Sequence, residues 1–158
     1  MCVTQPLLLN PGNLSNFAED WVTNPKKEEK DKMTKESLYQ ILGQVYDSVP
    51  SNDIKLVIGD FNAKIGREPA YKKIIDSHGL HAESNDNGTR VIYFAGSRGM
   101  VVMSTQFPRK NIHKWTWTSP DDRSHNQIDH VLIEKRGASS IKNVRTYRGA
   151  DCNSDHYL

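Results

Sequence analysis

The strongest constraint on this chain is a run of apolar residues that stops on a carboxylate. Ile54-Lys55-Leu56-Val57-Ile58 leads directly into Gly59-Asp60-Phe61-Asn62. A second run, Gln127-Ile128-Asp129-His130-Val131-Leu132-Ile133, also carries an aspartate, and Ser154-Asp155-His156 follows near the end of the sequence. Short, nearly continuous apolar runs suit strands buried on both faces. An open α/β sheet delivers polar groups from the ends of such strands to one rim. Two aspartates, an asparagine and an Asp-His pair on one rim predict metal-assisted cleavage of a phosphate ester.

A chain of 158 residues is enough for one compact domain and too short for two large ones. The hydrophobic share of 36% is low for a globular protein but too high for disorder throughout. The formal net charge of +2 is too small to mark a nucleic-acid binder by itself. Charge is uneven, however. Residues 108–148 hold Arg109, Lys110, Lys114, Arg123, Lys135, Arg136, Lys142, Arg145 and Arg148 against Asp121, Asp122, Asp129 and Glu134. Such a stretch either attracts a polyanion or is an ordinary solvated surface. Cys2 and Cys152 make neither a disulfide framework nor a zinc site, so a reducing compartment is expected. Leu7-Leu8-Leu9 is too short for a signal-peptide core, and no apolar run is long enough to span a bilayer. The expected location is intracellular, nuclear or cytoplasmic; Lys26-Lys27 and Arg109-Lys110 are too sparse to act as a nuclear signal. Nothing in the composition indicates an oligomeric state.

Residues 1–26 read as an irregular, disordered leader rich in turn formers such as Pro6, Pro11, Gly12 and Asn13. Residues 27–47 predict a helix whose stripe is Leu38, Ile41, Leu42 and Val45, with Met33 a turn earlier. Val49-Pro50 ends it. Ile54–Ile58 is a predicted strand, and 63–86 is mainly loop. Asn87 is the expected N-cap of a short helix with Val91, Phe94 and Ala95 on its apolar face and Gly99 as its stop. Met100–Thr105, Lys114–Thr118, Ile128–Ile133 and Val144–Tyr147 are further predicted strands. In the second of these Trp115 and Trp117 share one face, Thr116 and Thr118 the other. The tryptophans suit core or half-core positions, and the histidines are expected mostly at the surface. The order of elements predicts an α/β layered domain with mixed strand directions.

Asp60 and Asn62, two apart on an extended segment, would point to one side. A carboxylate there orients water or holds a hard cation through oxygen, and the amide of Asn62 is a steady donor to a phosphoryl oxygen. The same four residues also suit a simple turn. Asp129 lies either at a strand end facing solvent or inside an apolar strand, where a buried carboxylate needs a partner. His156 is a candidate, because an aspartate fixes an imidazole's tautomer and raises its basicity.

Taken in order, these motifs resemble the endonuclease/exonuclease/phosphatase family, also called DNase I-like. Within it they are most similar to the endonuclease domains of non-LTR retrotransposons and to the domesticated craniofacial development protein 2-like group. The resemblance is carried by Val57-Ile58-Gly59-Asp60-Phe61-Asn62-Ala63-Lys64-Ile65-Gly66, Asn87-Gly88, Trp115-Thr116-Trp117-Thr118-Ser119-Pro120-Asp121, Asn126 through Ile133, and Ser154-Asp155-His156. It runs from about residue 27 to 158. It implies a partial DNase I-like sandwich, in which mixed β-sheets are flanked by helices and the N-terminal half of the fold is missing. It also implies hydrolysis of DNA phosphodiesters with Mg²⁺, or Mn²⁺ in its place. Asp60 would orient the attacking water, and Asn62 would stabilise the phosphoryl oxygens. Asp129 would hold His156, which contacts the phosphate or acts as acid and base. Asp155, with Asp60, would be a metal ligand. Asn87, Trp117 and Asn126 would bind substrate.

The departures from the family pattern are specific. Residues 1–26 hold no strand ending in the family's metal-binding glutamate, and the glutamates between 28 and 36 lie in the predicted helix. The sequence stops just after Ser-Asp-His, and His130 stands where relatives usually have tyrosine. The chain therefore reads as the C-terminal part of the domain (27–158), open to a partner that completes the sheet. Two further readings stand beside the nuclease. One is a remnant or binding module without turnover; the other is a phosphatase acting on a small phosphate ester.

Overall fold

The computed structural model describes residues 7–9, 29–147 and 155–157, with side chains from 34 to 147 and from 155 to 157. Helix α1 spans Glu29–Ser48. Strand β1 is Leu7–Leu9, β2 is Leu56–Asp60, β3 is Met100–Val102 and β6 is Asp129–Glu134; they form a four-stranded sheet in the order β1-β2-β6-β3. Strands β4 (Trp117–Thr118) and β5 (His125–Asn126) make a separate hairpin. Helix α2 spans Asp86–Ser97. The result is a mixed α/β architecture, as the order of elements indicated.

Among the described residues all paired strands are antiparallel, in place of the expected mixture of directions. Leu7–Leu9, within the segment expected to be irregular, pairs with Leu56–Ile58. The rest of that segment, with Cys2 and Cys152, lies outside the described residues.

The alternation along β2 and β6 sorts side chains between two unequal layers. Val57, Leu132, Met100 and Val102 face both helices and join Leu42, Tyr46, Val91, Ile92, Phe94 and Ala95 in the main core. Full burial of each large apolar side chain stabilises by roughly 1.5–3 kcal/mol. The opposite face is thinner: Val101, Met103 and Ile133 are buried, with Leu56, Phe107, Val131 and Val144 only partly covered around them. So β2 is not buried on both faces, as expected, but on one. It also begins later, at Leu56, leaving Ile54 half exposed.

Helix α1 docks through Leu42 and Tyr46, with Tyr39 beside them. Leu38, Ile41 and Val45 of the expected stripe stay about 40% exposed. The helix seats on one edge of a wide apolar arc, with its phenols against Phe94. Tyr46 Oη bonds Glu134 Oε1 at 2.9 Å and Arg98 O at 3.1 Å, tying α1 to β6 and to the end of α2.

Two predicted strands are shorter than expected and one is not formed. After Val102 the chain turns into a 3-10 helix at Met103–Thr105, where the Thr105 hydroxyl bonds Val102 O. Only Trp117–Thr118 of the 114–118 segment pairs as strand. Residues 144–147 run without strand pairing, held at Thr146 N by His113 O. Along this segment the threonines are buried and the tryptophans partly buried. Trp115 stacks on His125 with ring centroids 3.7 Å apart.

Candidate functional site

In the antiparallel register Asp60 is the direct partner of Asp129. The last residue of β2 thus meets the first residue of β6. Partners in such a pair project to the same face, here the thinner one. Asp129 sits at the strand's start, one of the two expected positions, yet it is partly buried and partnered. Its amide and that of Ile128 both donate to the buried hydroxyl of Thr116, at 3.1 and 2.9 Å. Thr116 was not singled out by sequence reasoning; its only signal was alternation with two tryptophans.

The third member arrives from the far end of the chain. Trp117 bridges His156, Thr118 N donates to Asp155 O, and Tyr157 N donates to Thr116 O. This docking lays Asp155–Tyr157 beside β4 and brings the imidazole between the carboxylates. His156 Nδ1 lies 3.1 Å from Asp129 Oδ2, and Nε2 lies 3.9 Å from Asp60 Oδ2. Potential ligand atoms of Asp60, Asp129 and His156 all fall within 4.8 Å of one another. All three side chains are about one-fifth to one-quarter exposed, at 19, 25 and 21%. Burial raises the pKa of Asp60 and the Asn62 amide bond lowers it; the Asp129 charge adds to the rise, and the net direction is upward.

Asn62 does not continue the strand. It adopts a left-handed conformation with φ of 47°, so the spacing that would have pointed it alongside Asp60 no longer applies. Instead Asp60 Oδ1 accepts from Asn62 N at 2.7 Å, closing a turn around Phe61.

Asp155 is not part of the trio. Its carboxylate accepts the Trp117 indole N–H at 2.7 Å. That bond also commits the polar edge of Trp117, which the resemblance had assigned to substrate. Asn126 lies opposite Trp117 in the hairpin, and its carbonyl accepts from Thr116 N at 2.8 Å. Asn87 is not the N-cap of α2. Asn85 fills that place, accepting from Gly88 N at 2.8 Å, and Asn87 donates from Nδ2 to Asn62 O at 2.8 Å.

His130, expected at the surface, is only 1% exposed. It lies on the helix-facing side of β6, opposite Gly59. A cavity of about 230 Å³ adjoins the trio, with Asp129 and His156 in its wall. It is lined by apolar Ile58, Phe107, Val131 and Val144 and by cationic Arg109, Lys114 and Arg145. Burial, and then the Arg67 charge, lower the pKa of Lys114.

The trio offers two carboxylate oxygens and one imidazole nitrogen. Cross-strand carboxylates suit a hard divalent cation through oxygen, and the added nitrogen admits softer divalent ions as well. Without a cation, the imidazole between two carboxylates is arranged as an acid–base group whose tautomer Asp129 sets. No helix among the described residues is long and apolar enough to cross a membrane.

No family model matches the chain, and no solved structure matches it. The chain is 37% identical over 120 residues to craniofacial development protein 2 of Bos taurus, covering 76% of this chain and 20% of the relative. Its similarity to craniofacial development protein 2 of Tragulus javanicus is also 37% over 120 residues, covering 76% of this chain and 21% of the relative. The chain therefore spans about one-fifth of the length of the curated relatives it matches and resembles craniofacial development protein 2 across most of its own.

Proposed function

We propose that the chain belongs to the endonuclease/exonuclease/phosphatase family and carries part of a divalent-metal-dependent site that hydrolyses DNA phosphodiesters. The observation that carries this reading is the convergence of Asp60, Asp129 and His156, from three distant stretches, within 4.8 Å. The cationic lining of the adjoining cavity supports an anionic substrate. In this reading Asp60 and Asp129 would hold Mg²⁺ or Mn²⁺, which when bound supplies charge stabilisation at the phosphoryl group. His156, oriented by Asp129, moves a proton at Nε2. Asn62 donates to a phosphoryl oxygen. The test is nicking of supercoiled plasmid with Mg²⁺ or Mn²⁺, comparing the chain with Asp60→Ala and His156→Ala. Loss in both variants supports the assignment, and unchanged nicking in both refutes it.

A second reading, a DNA- or protein-binding module without turnover, is favoured by one observation. Among the described residues no glutamate joins the trio, and the carboxylate of Asp155 is taken by Trp117. A chain that retains plasmid by filter binding but never nicks it supports this reading over the first.

A further inference from the structure

The segment Asn85-Asp86-Asn87-Gly88 touches the site without belonging to it. It opens α2, and its first turn lies against the loop by which the chain leaves β2. Almost every main-chain polar group of that loop is held. Asn62 N goes to Asp60 Oδ1 at 2.7 Å and Asn62 O to Asn87 Nδ2 at 2.8 Å. Ala63 O accepts from His130 Nε2 at 2.7 Å. Lys64 N reaches Asn85 Oδ1 at 3.1 Å, and Lys64 O accepts from Asn85 N at 3.1 Å. A Cβ at Gly88 would stand 1.9 Å from Lys64 O, so glycine is what lets helix and loop approach this closely.

Within this set Asn87 has a particular place. Its Nδ2 is the side-chain donor to the carbonyl of the one left-handed residue beside Asp60. Its Oδ1 is buried without a partner among the described residues. Reversing the amide would set two carbonyl oxygens against each other, so the donor end decides the orientation. Leaving that acceptor unpaired costs desolvation, which the fold bears while keeping the bond to Asn62 O. Left-handed asparagine is accessible but costs more than the right-handed form, and Asn87 holds its carbonyl as Asp60 holds its amide.

We infer that Asn87 is a positioning residue: it fixes the left-handed backbone of Asn62 and thereby the place of the Asn62 side chain, the proposed donor to the phosphoryl group. This rests on the proposed hydrolytic reading, and it replaces direct substrate binding as the role of Asn87. The experiment uses the full chain with Asn87→Asp, which keeps the shape and removes the donor, and Asn87→Ala, which removes the donor without adding charge. Both leave the Asn85 cap in place. Nicking kinetics are expected to show kcat lowered about 10- to 100-fold with KM within about twofold. On an Asn62→Ala background the same changes should alter kcat by less than about twofold, since the effect passes through Asn62. Independently of activity, NMR couplings and Cα and Cβ shifts that mark a left-handed residue are expected at Asn62 in the wild type and not in either variant. Additive kcat losses on the Asn62→Ala background, or a left-handed signature that survives both variants, overturn the inference. A wild-type chain that nicks nothing overturns the functional reading instead, and the backbone signature then decides the clamp alone.

Discussion

Acidifying the protein from about pH 7.5 to about pH 4.5 is expected to destabilise it by about 2–3 kcal/mol through His130 alone. The ring is buried between Ala63 O and Ser104 Oγ, each 2.7 Å from a ring nitrogen. A carbonyl only accepts, so Nε2 carries the proton; in the neutral ring Nδ1 then accepts from the Ser104 hydroxyl. Complete burial is what favours the neutral ring in the fold. Burial lowers its pKa from 6.5 to about 4, against the opposing pull of the Ala63 bond. The unfolded chain takes up a proton below 6.5, while the folded one resists until about 4. Stability from this group is thus complete above the unfolded value, falls as pH drops through that window, and falls no further below it. The full interval sets a ceiling of about 3 kcal/mol, a large part of the roughly 5–15 kcal/mol that holds a typical domain together. Urea unfolding across this range should be compared with His130→Gln, which can still donate to Ala63 O but does not titrate. His81, whose pKa burial also lowers, titrates in both proteins and cancels in the difference. The variant should be less stable at neutral pH and distinctly flatter with acid. Equal pH slopes in the two proteins would refute the argument.

Other outcomes follow from the same contacts. Asp60 has a raised pKa in the fold, so its charged form costs stability as pH rises above its unfolded value; Asp60→Asn should raise Tm at pH 7 without metal while abolishing nicking. Gly88→Ala drives a methyl into Lys64 O and should cost about 3 kcal/mol by chemical denaturation. Leu132→Ala, in the middle of the sheet and fully buried, should cost about 2–5 kcal/mol. Trp117→Phe removes the donor to Asp155 and should release the 155–157 segment, read as a loss of the His156–Asp129 contact by imidazole NMR.

What could be read from the amino-acid order was set by local rules. Asp60 and Asp129 stand out because each interrupts an apolar run, and antiparallel pairing makes those interruptions coincide. Helix α2 announces itself by period and by Gly99, whose φ of 62° ends it. The seat of α1 was not legible: Leu38, Ile41, Leu42 and Val45 form one broad arc, and only tertiary contact decides that Leu42 and Tyr46 are the covered edge. Nor was the Trp117–Asp155 bond, made across 38 positions by a segment with no periodicity of its own. Asn87 illustrates a third kind of miss. It was noticed, but Asn85 is the better cap, and what Asn87 does depends on a loop 25 positions away.

The pairing of position 60 with position 129 has an implication for variation in this chain. Inserting or deleting one residue between them and the centres of their strands would turn the affected aspartate to the helix side, among Val57, Leu132 and His130. Length within β2 and β6 is consequently as constrained as the identity of the acids themselves. Loops on the far side of either strand carry no such restriction.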